Sequence, residues 1–324
     1  MSDRSFLGRR PGWLAAGLLI LLLTACSADA PPAPGAATPT SFAATPPGAA
    51  GGGKLVVVAT TTQIRSLTEA VAGDLATVRA ILKPGADPHE YEPVPSDVQM
   101  IGESALVLKN GVGLDNWLDK IIAGAGGQHP VVTVSDGVPL RQGAAGTTAS
   151  DPHIWFSVSN AMTMTRNIRD ALVRVDAPHA TQYQANTTAY LQRLAALDTY
   201  IHDQIATLPD ARRKMVTNHD AFGYYIHRYG LSFVGSIIPA LSTEAAPSAA
   251  DVAALIEKIR AEHVPAIFLE SSINPQLAQQ IGGEAGVKVV DTLYGDSLGD
   301  AGTPGATYES MMRYDTDTIV SALK

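Results

Sequence analysis

Six short β-forming runs constrain this chain more than any other feature. They are Leu55-Val56-Val57-Val58, Ala105-Leu106-Val107-Leu108, Val131-Val132-Thr133-Val134, Lys214-Met215-Val216-Thr217, Ala266-Ile267-Phe268-Leu269 and Val287-Lys288-Val289-Val290. Successive side chains of a strand point to opposite faces, so a nearly continuous apolar run must be buried on both. Stretches with helical spacing lie between the runs, 64–71 and 249–259 among them. Short apolar strands alternating with helices predict an α/β fold with parallel sheets covered on both faces. One segment breaks the alternation. Residues 177–208 carry no strand signal, and Tyr183, Tyr190, Leu194, Leu197, Ile201 and Ile205 follow at steps of three, four or seven. That spacing is one apolar face of a long helix. At about 1.5 Å per residue it would extend over roughly 40 Å. The chain therefore reads as two α/β lobes, 54–176 and 209–324, joined by a linking helix at 177–208.

The residues before the first run have another character. Arg4, Arg9 and Arg10 precede an uncharged stretch at 11–26, whose apolar heart at 14–23 is shorter than the roughly 20 residues that span a bilayer. A basic start followed by a short apolar run is a secretory signal, here 1–25. It ends in Leu23-Thr24-Ala25-Cys26, which resembles a bacterial lipobox. That resemblance implies cleavage before Cys26 and a lipid on its sulfur, anchoring the protein on the extracytoplasmic face of a membrane. In an envelope with two membranes that place is the periplasm. Cys26 is the one cysteine of the chain, so no disulfide framework is available. Residues 27–53 hold one charge, Asp29, and six prolines among Ala, Gly, Thr and Ser. That composition cannot bury a core and reads as a flexible tether, so 26–53 forms the lipidated cysteine and its linker. A formal net charge of −8 disfavours nucleic acid and anionic lipid surfaces as partners.

The chemistry lies in the histidines. Of eight, His129 precedes a proline in a loop, and His179, His202, His227 and His263 sit in polar helical contexts that call for no ligand role. His89 and His153 differ. The sequence holds two Asp-Pro dipeptides, Asp87-Pro88 and Asp151-Pro152, and a histidine follows each directly. Proline biases its predecessor toward extended geometry and so places the histidine on a defined turn. The nearby aspartate could accept the second ring N–H, as the partner of a metal-binding histidine usually does. His219 follows the run at 214–217, and Asp296 follows the apolar segment at 287–293. Ligands of open α/β sheets bind beyond the carboxyl ends of strands. Two of these residues precede the long helix and two follow it, so one ion could bridge the lobes. Three imidazoles and a carboxylate suit zinc in tetrahedral geometry and can accept manganese, whereas calcium prefers six to eight oxygens. Glu244 and Glu270 are candidates to offset the ion's residual charge.

Several motifs occur in one order: Asp87-Pro88-His89-Glu90-Tyr91-Glu92-Pro93, Asn110-Gly111, Asp151-Pro152-His153-Ile154-Trp155, Asn218-His219-Asp220-Ala221-Phe222-Gly223-Tyr224, Ser242-Thr243-Glu244 and Asp296-Ser297-Leu298. With them, 54–324 resembles the zinc/manganese-binding receptors of bacterial ABC importers, the cluster A-I solute-binding proteins. The resemblance implies two lobes linked by one rigid helix with one metal ion per chain between them. It implies a membrane permease and an ATPase as partners, a monomeric receptor, and ligands at His89, His153, His219 and Asp296. Asp296 rests mainly on it. Histidine as third ligand leans toward zinc, while the absence of histidine from 138–150, where many zinc receptors carry a His-rich loop, tempers that. The expected role is capture and delivery without catalysis. A secreted zinc metallohydrolase and a receptor for an organic solute are the alternatives. The sequence has no His-Glu-x-x-His pattern and no Gly-x-Ser-x-Gly elbow for the first. Its 6% aromatic content offers little lining for the second.

Overall fold

The computed structural model describes residues 54–143 and 148–324. The expected signal, the Cys26 lipidation site and the tether lie outside the described residues. Among the described residues no helix is long and apolar enough to cross a membrane.

Strands β1 (Leu55–Ala59), β2 (Ala76–Ala80), β3 (Leu106–Lys109) and β4 (Val131–Thr133) form a parallel sheet in the order β2-β1-β3-β4. Strands β5 (Lys214–Thr217), β6 (Ser232–Ser236), β7 (Ala266–Glu270) and β8 (Lys288–Leu293) form a second parallel sheet in the order β6-β5-β7-β8. Both sheets start in an inner strand, step to one edge and then cross to the other side. The crevice beyond the strand ends therefore opens between β1 and β3 in one lobe and between β5 and β7 in the other.

Alternation along the strands assigns each residue to a layer. Val57, Ala59, Leu106, Leu108, Met215, Ala266 and Phe268 belong to one large buried cluster that includes both sheets. Val58 and Val107 face the opposite side, packing with Ile101 of α2 (Pro95–Gly102) and with Leu118 and Ile121 of α3 (Leu118–Ala125). Val216, Ile267 and Leu269 face away likewise, under α7 (Ala249–Glu262) and α8 (Gln276–Ala285). The shared inner cluster is filled by α1 (Thr62–Ala72), α4 (Val158–Val175), α6 (Gly223–Tyr229), α9 (Tyr308–Leu323) and the long α5 (Ala180–Ala206).

Helix α5 has the expected apolar face. Tyr183, Thr187, Tyr190, Leu194, Leu197, Ile201 and Ile205 are its buried residues. It packs on α1 and α4 of the first lobe and on α6 and α9 of the second. Each large apolar side chain on that stripe contributes about 1.5–3 kcal/mol by leaving water. The helix starts later than the spacing alone predicts, because Pro178 sits in a separate 3₁₀ turn at Ala177–His179. A proline ring presets that first-turn backbone and lacks the N–H that a continued helix would need.

Candidate metal centre

The two Asp-Pro-His turns are built alike. Asp87 Oδ1 accepts the backbone N–H of His89 at 2.8 Å, and Asp151 Oδ1 accepts that of His153 at 3.0 Å. Each is a local aspartate turn that fixes the histidine's backbone. Proline offers no N–H, but its carbonyl still needs a donor. The segment after β3 supplies both: Trp117 Nε1 donates to Pro88 O at 3.1 Å and Asn110 Nδ2 to Pro152 O at 3.0 Å. That segment is itself held by the buried Asp115 carboxylate, which accepts from Thr60 and from the backbone N–H groups of Asn110 and Gly111. It runs through three successive positive φ angles at Gly111, Val112 and Gly113. Left-handed geometry is rare for a β-branched residue such as Val112, and such strain persists where surrounding bonds over-determine it.

His219 lies two residues past β5, and Asp296 three past β8. Together with His89 and His153 they present four donor atoms that all lie within 4.8 Å of one another. His153 Nε2 is 3.2 Å from both His89 Nε2 and His219 Nε2. Asp296 Oδ2 is 3.4 Å from His89 Nε2 and from His219 Nε2, and Oδ1 is 3.4 Å from His153 Nε2. A tetrahedron with bonds of about 2.0–2.1 Å has edges of about 3.3–3.4 Å. His153 and His219 are fully buried, while Asp296 is 5% and the His89 side chain 7% exposed. Asp296 Oδ1 has no hydrogen-bond donor although it is buried.

Two more buried carboxylates stand behind the histidines. Asp151 Oδ1 is 2.8 Å from His153 Nδ1, and its other oxygen accepts from Arg141 at 2.9 Å. Glu270, at the end of β7, places Oε1 3.2 Å from His219 Nδ1, while Oε2 accepts the Asp296 N–H at 2.7 Å. Asp151 puts the His153 ring proton on Nδ1 and leaves its Nε2 free to bind, while His219 Nδ1 lies against both Glu270 and the Asn218 amide nitrogen, 2.9 Å away. Asp87 does something else. It does not reach the ring of His89, contrary to the expectation from its motif. Its second oxygen instead accepts the Thr243 hydroxyl at 2.6 Å. Of the two glutamates expected to offset charge, Glu270 is buried against the centre and Glu244 is exposed. A dication together with Arg141 would balance Asp296, Asp151 and Glu270.

Burial alone would lower the His219 pKa, but the carboxylates of Asp296 and Glu270 outweigh it and hold the imidazole well above its ordinary value. His89 follows the same balance: burial opposes and Asp296 prevails. Burial would raise Asp296, yet its electrostatic interactions with His219, His153 and His89 hold it well below the usual carboxylate range. A cluster that gathers protons around one carboxylate has the charge pattern that a metal ion could replace.

The remaining histidines stay apart from this centre. His179, His202, His227 and His263 are exposed, and half-buried His129 bonds the carbonyl of Gly126. Sequence reading passed over Arg141, Trp117 as a carbonyl donor, and the buried Gln63 that donates to Gly295 O at 2.9 Å. None carried a local signal, since their partners lie between 10 and 232 positions away.

Two parallel α/β lobes meeting around four convergent donors define a class, the two-lobed metal-binding solute receptor. The chain belongs to the family described as zinc-uptake complex component A, periplasmic, whose sequence model matches residues 57–322. It is 34% identical over 258 residues to the manganese-binding lipoprotein MntA of Halalkalibacterium halodurans, covering 79% of this chain and 84% of that protein. It is 30% identical over 268 residues to the metal ABC transporter substrate-binding lipoprotein SsaB of Streptococcus sanguinis, covering 80% and 86%. Its fold is similar to the periplasmic zinc-binding protein TroA of Treponema pallidum, with a TM-score of 0.78, 32% identity, and coverage of 84% of this chain and 99% of that one.

Proposed function

We propose that this chain is the extracytoplasmic solute-binding component of an ABC importer that captures one divalent transition-metal ion and delivers it to a membrane permease driven by an ATPase. His89, His153, His219 and Asp296 are the ligands, zinc is the favoured cargo and manganese the next. The observation that carries this reading is the convergence of four donor atoms within 4.8 Å of one another, with five nitrogen–nitrogen and nitrogen–oxygen separations of 3.2–3.4 Å, close to the edge length of a zinc tetrahedron. Four protein donors complete such a sphere, whereas a catalytic zinc keeps a position for water. That favours transport over the metallohydrolase reading. Four convergent polar donors likewise favour an ion over an organic solute. The similarity to MntA, SsaB and TroA supports metal as cargo and leaves zinc against manganese to the donor set.

The receptor acts as a monomer, lipid-anchored through Cys26 after removal of 1–25, with 26–53 as its tether. Residues 54–176 and 209–324 form the lobes, and 177–208 links them. The deciding experiment strips the purified protein of metal and measures zinc and manganese affinities in competition. Zinc binds more tightly, with one ion per chain, and His219→Ala abolishes tight binding. A His219→Ala protein that binds like the parent refutes the four-ligand site.

A further inference from the structure

Hydrogen bonds between the lobes are distributed unevenly around the four donors. On the Asp296 side, Gln63 and Trp155 both donate to Gly295 O, Thr62 Oγ1 accepts Leu298 N–H, and Ser297 Oγ accepts Gly85 N–H. Behind His153, Tyr224 Oη accepts the Arg141 N–H and donates to Asp151 O, and on the His89 side the Thr243 hydroxyl donates to Asp87. The cavities follow the same division. A cavity of about 250 Å³ beside Gly85, Gly295 and Ser297 has none of the four donor residues on its wall. A cavity of about 450 Å³ on the other side is lined by His89 together with Tyr91, Trp117, Lys120, Ser242 and Glu244. Solvent therefore meets the donor set at His89. The carboxylate in that mouth is Glu244, which is exposed and adjacent in sequence to Thr243.

A hydrated dication cannot exchange its whole water shell for four buried donors at once. An oxygen ligand at the mouth, outside the imidazoles, lets the exchange proceed one ligand at a time. Glu244 has the right chemistry and place. Thr243 makes the tie that an outward movement of the same loop would break.

We propose that the ion passes through the mouth beside His89, with Glu244 as a transient ligand between water and His89 and the Thr243–Asp87 hydrogen bond as the fastening that opens for its passage. This rests on the four-donor cluster being the cargo site. Both features act on rates. Glu244 lowers the barrier in both directions, so its loss slows uptake and release together and leaves the equilibrium in place. Thr243 holds the closed form, so its loss speeds release.

The test measures zinc uptake with a fluorescent indicator and zinc release into excess chelator by stopped flow, beside equilibrium competition. Glu244→Gln should slow both rates by roughly tenfold, the lower end of what local charge does to association, with Kd changed by less than about twofold. Thr243→Val should speed release by roughly tenfold, as expected for a lost hydrogen bond to a charged group. Thr243→Ser retains the hydroxyl and should release at the parental rate. Ser297→Ala, which removes a tie on the opposite wall, should change release by less than about twofold. Parental rates in both Glu244→Gln and Thr243→Val overturn the proposal. Release accelerated by Ser297→Ala and not by Thr243→Val overturns it as well, since the ion would then leave by the other wall. A parent protein that takes up no zinc refutes the cargo-site reading instead, which keeps the two failures distinct.

Discussion

Gly295→Ala is a one-carbon change with a large expected effect. A Cβ on Gly295 would lie 2.0 Å from Glu270 Oε2 and 2.1 Å from its carboxyl carbon. Contacts that short force something to move. A carboxylate at the end of a flexible chain would normally move cheaply, but Glu270 is 1% exposed and accepts from Asp296 N–H, with Asn218 and His219 also against it. Displacing it breaks a hydrogen bond to a charged group, about 1.5–3 kcal/mol. It also frees the ring of His219, and losing such an orienting partner costs about 10–100-fold in metal affinity. The alternative, a shift of the Gly295 backbone, pulls its carbonyl from Gln63 and Trp155 and drags Asp296 with it. Either route leads to the same readout. Zinc affinity by competition falls about 10–100-fold, and the metal-free protein unfolds at lower temperature. Gly283→Ala is the matched control, because a Cβ there meets nothing within 4 Å and its helix should gain about 0.5–1 kcal/mol. A Gly295→Ala protein that binds zinc and melts like the parent would refute the role assigned to Glu270.

Other expectations follow from the same geometry. The raised His219 stabilises the metal-free protein fully below its unfolded value near 6.5, and that stabilisation is lost as pH rises through the higher folded value. The same proton must leave before metal binds, so zinc affinity should rise across that window while the melting temperature of stripped protein falls; a flat affinity there would contradict the proton count. Leu197→Ala, on the buried stripe of α5, should cost about 2–5 kcal/mol in denaturant unfolding without changing zinc stoichiometry. Gly111→Ala should destabilise strongly in the same assay, since its φ is 78° and the new Cβ would sit 2.4 Å from Thr133 Cγ2.

The strands legible in the sequence differ from the hidden ones in the continuity of their apolar residues. All six β-forming runs correspond to strands in the two parallel sheets. Strands β2 and β6 gave no such signal, and each is the edge next to the first strand of its sheet. In β2, Ala76 is buried and Val78 and Ala80 are partly buried, while Thr77 and Arg79 alternate with them and are exposed. In β6, Ser232, Gly235 and Ser236 interrupt the apolar pattern. Edge position alone does not explain this, because the edge strands β4 and β8 were legible; what hides β2 and β6 is the polar and small residues that break their apolar runs. The donors were legible because proline and strand ends mark them locally. Their supports were not. Asp87 and Asp151 stand in identical motifs, yet one meets a hydroxyl from the other lobe and the other meets a ring nitrogen and Arg141, which only the folded chain decides.

The inner apolar cluster, common to both sheets and threaded by α5, determines how such a molecule could be made to report on its cargo. Val57 and Leu106 from one sheet share it with Met215 and Phe268 from the other. Swinging the lobes apart would shear that packing, at about 1.5–3 kcal/mol for each large side chain exposed. A biosensor with one fluorophore on each lobe would therefore give nearly the same energy transfer loaded and empty. An environment-sensitive dye placed beside Thr243 would sit where the molecule has freedom to change, and its brightness would follow the ion.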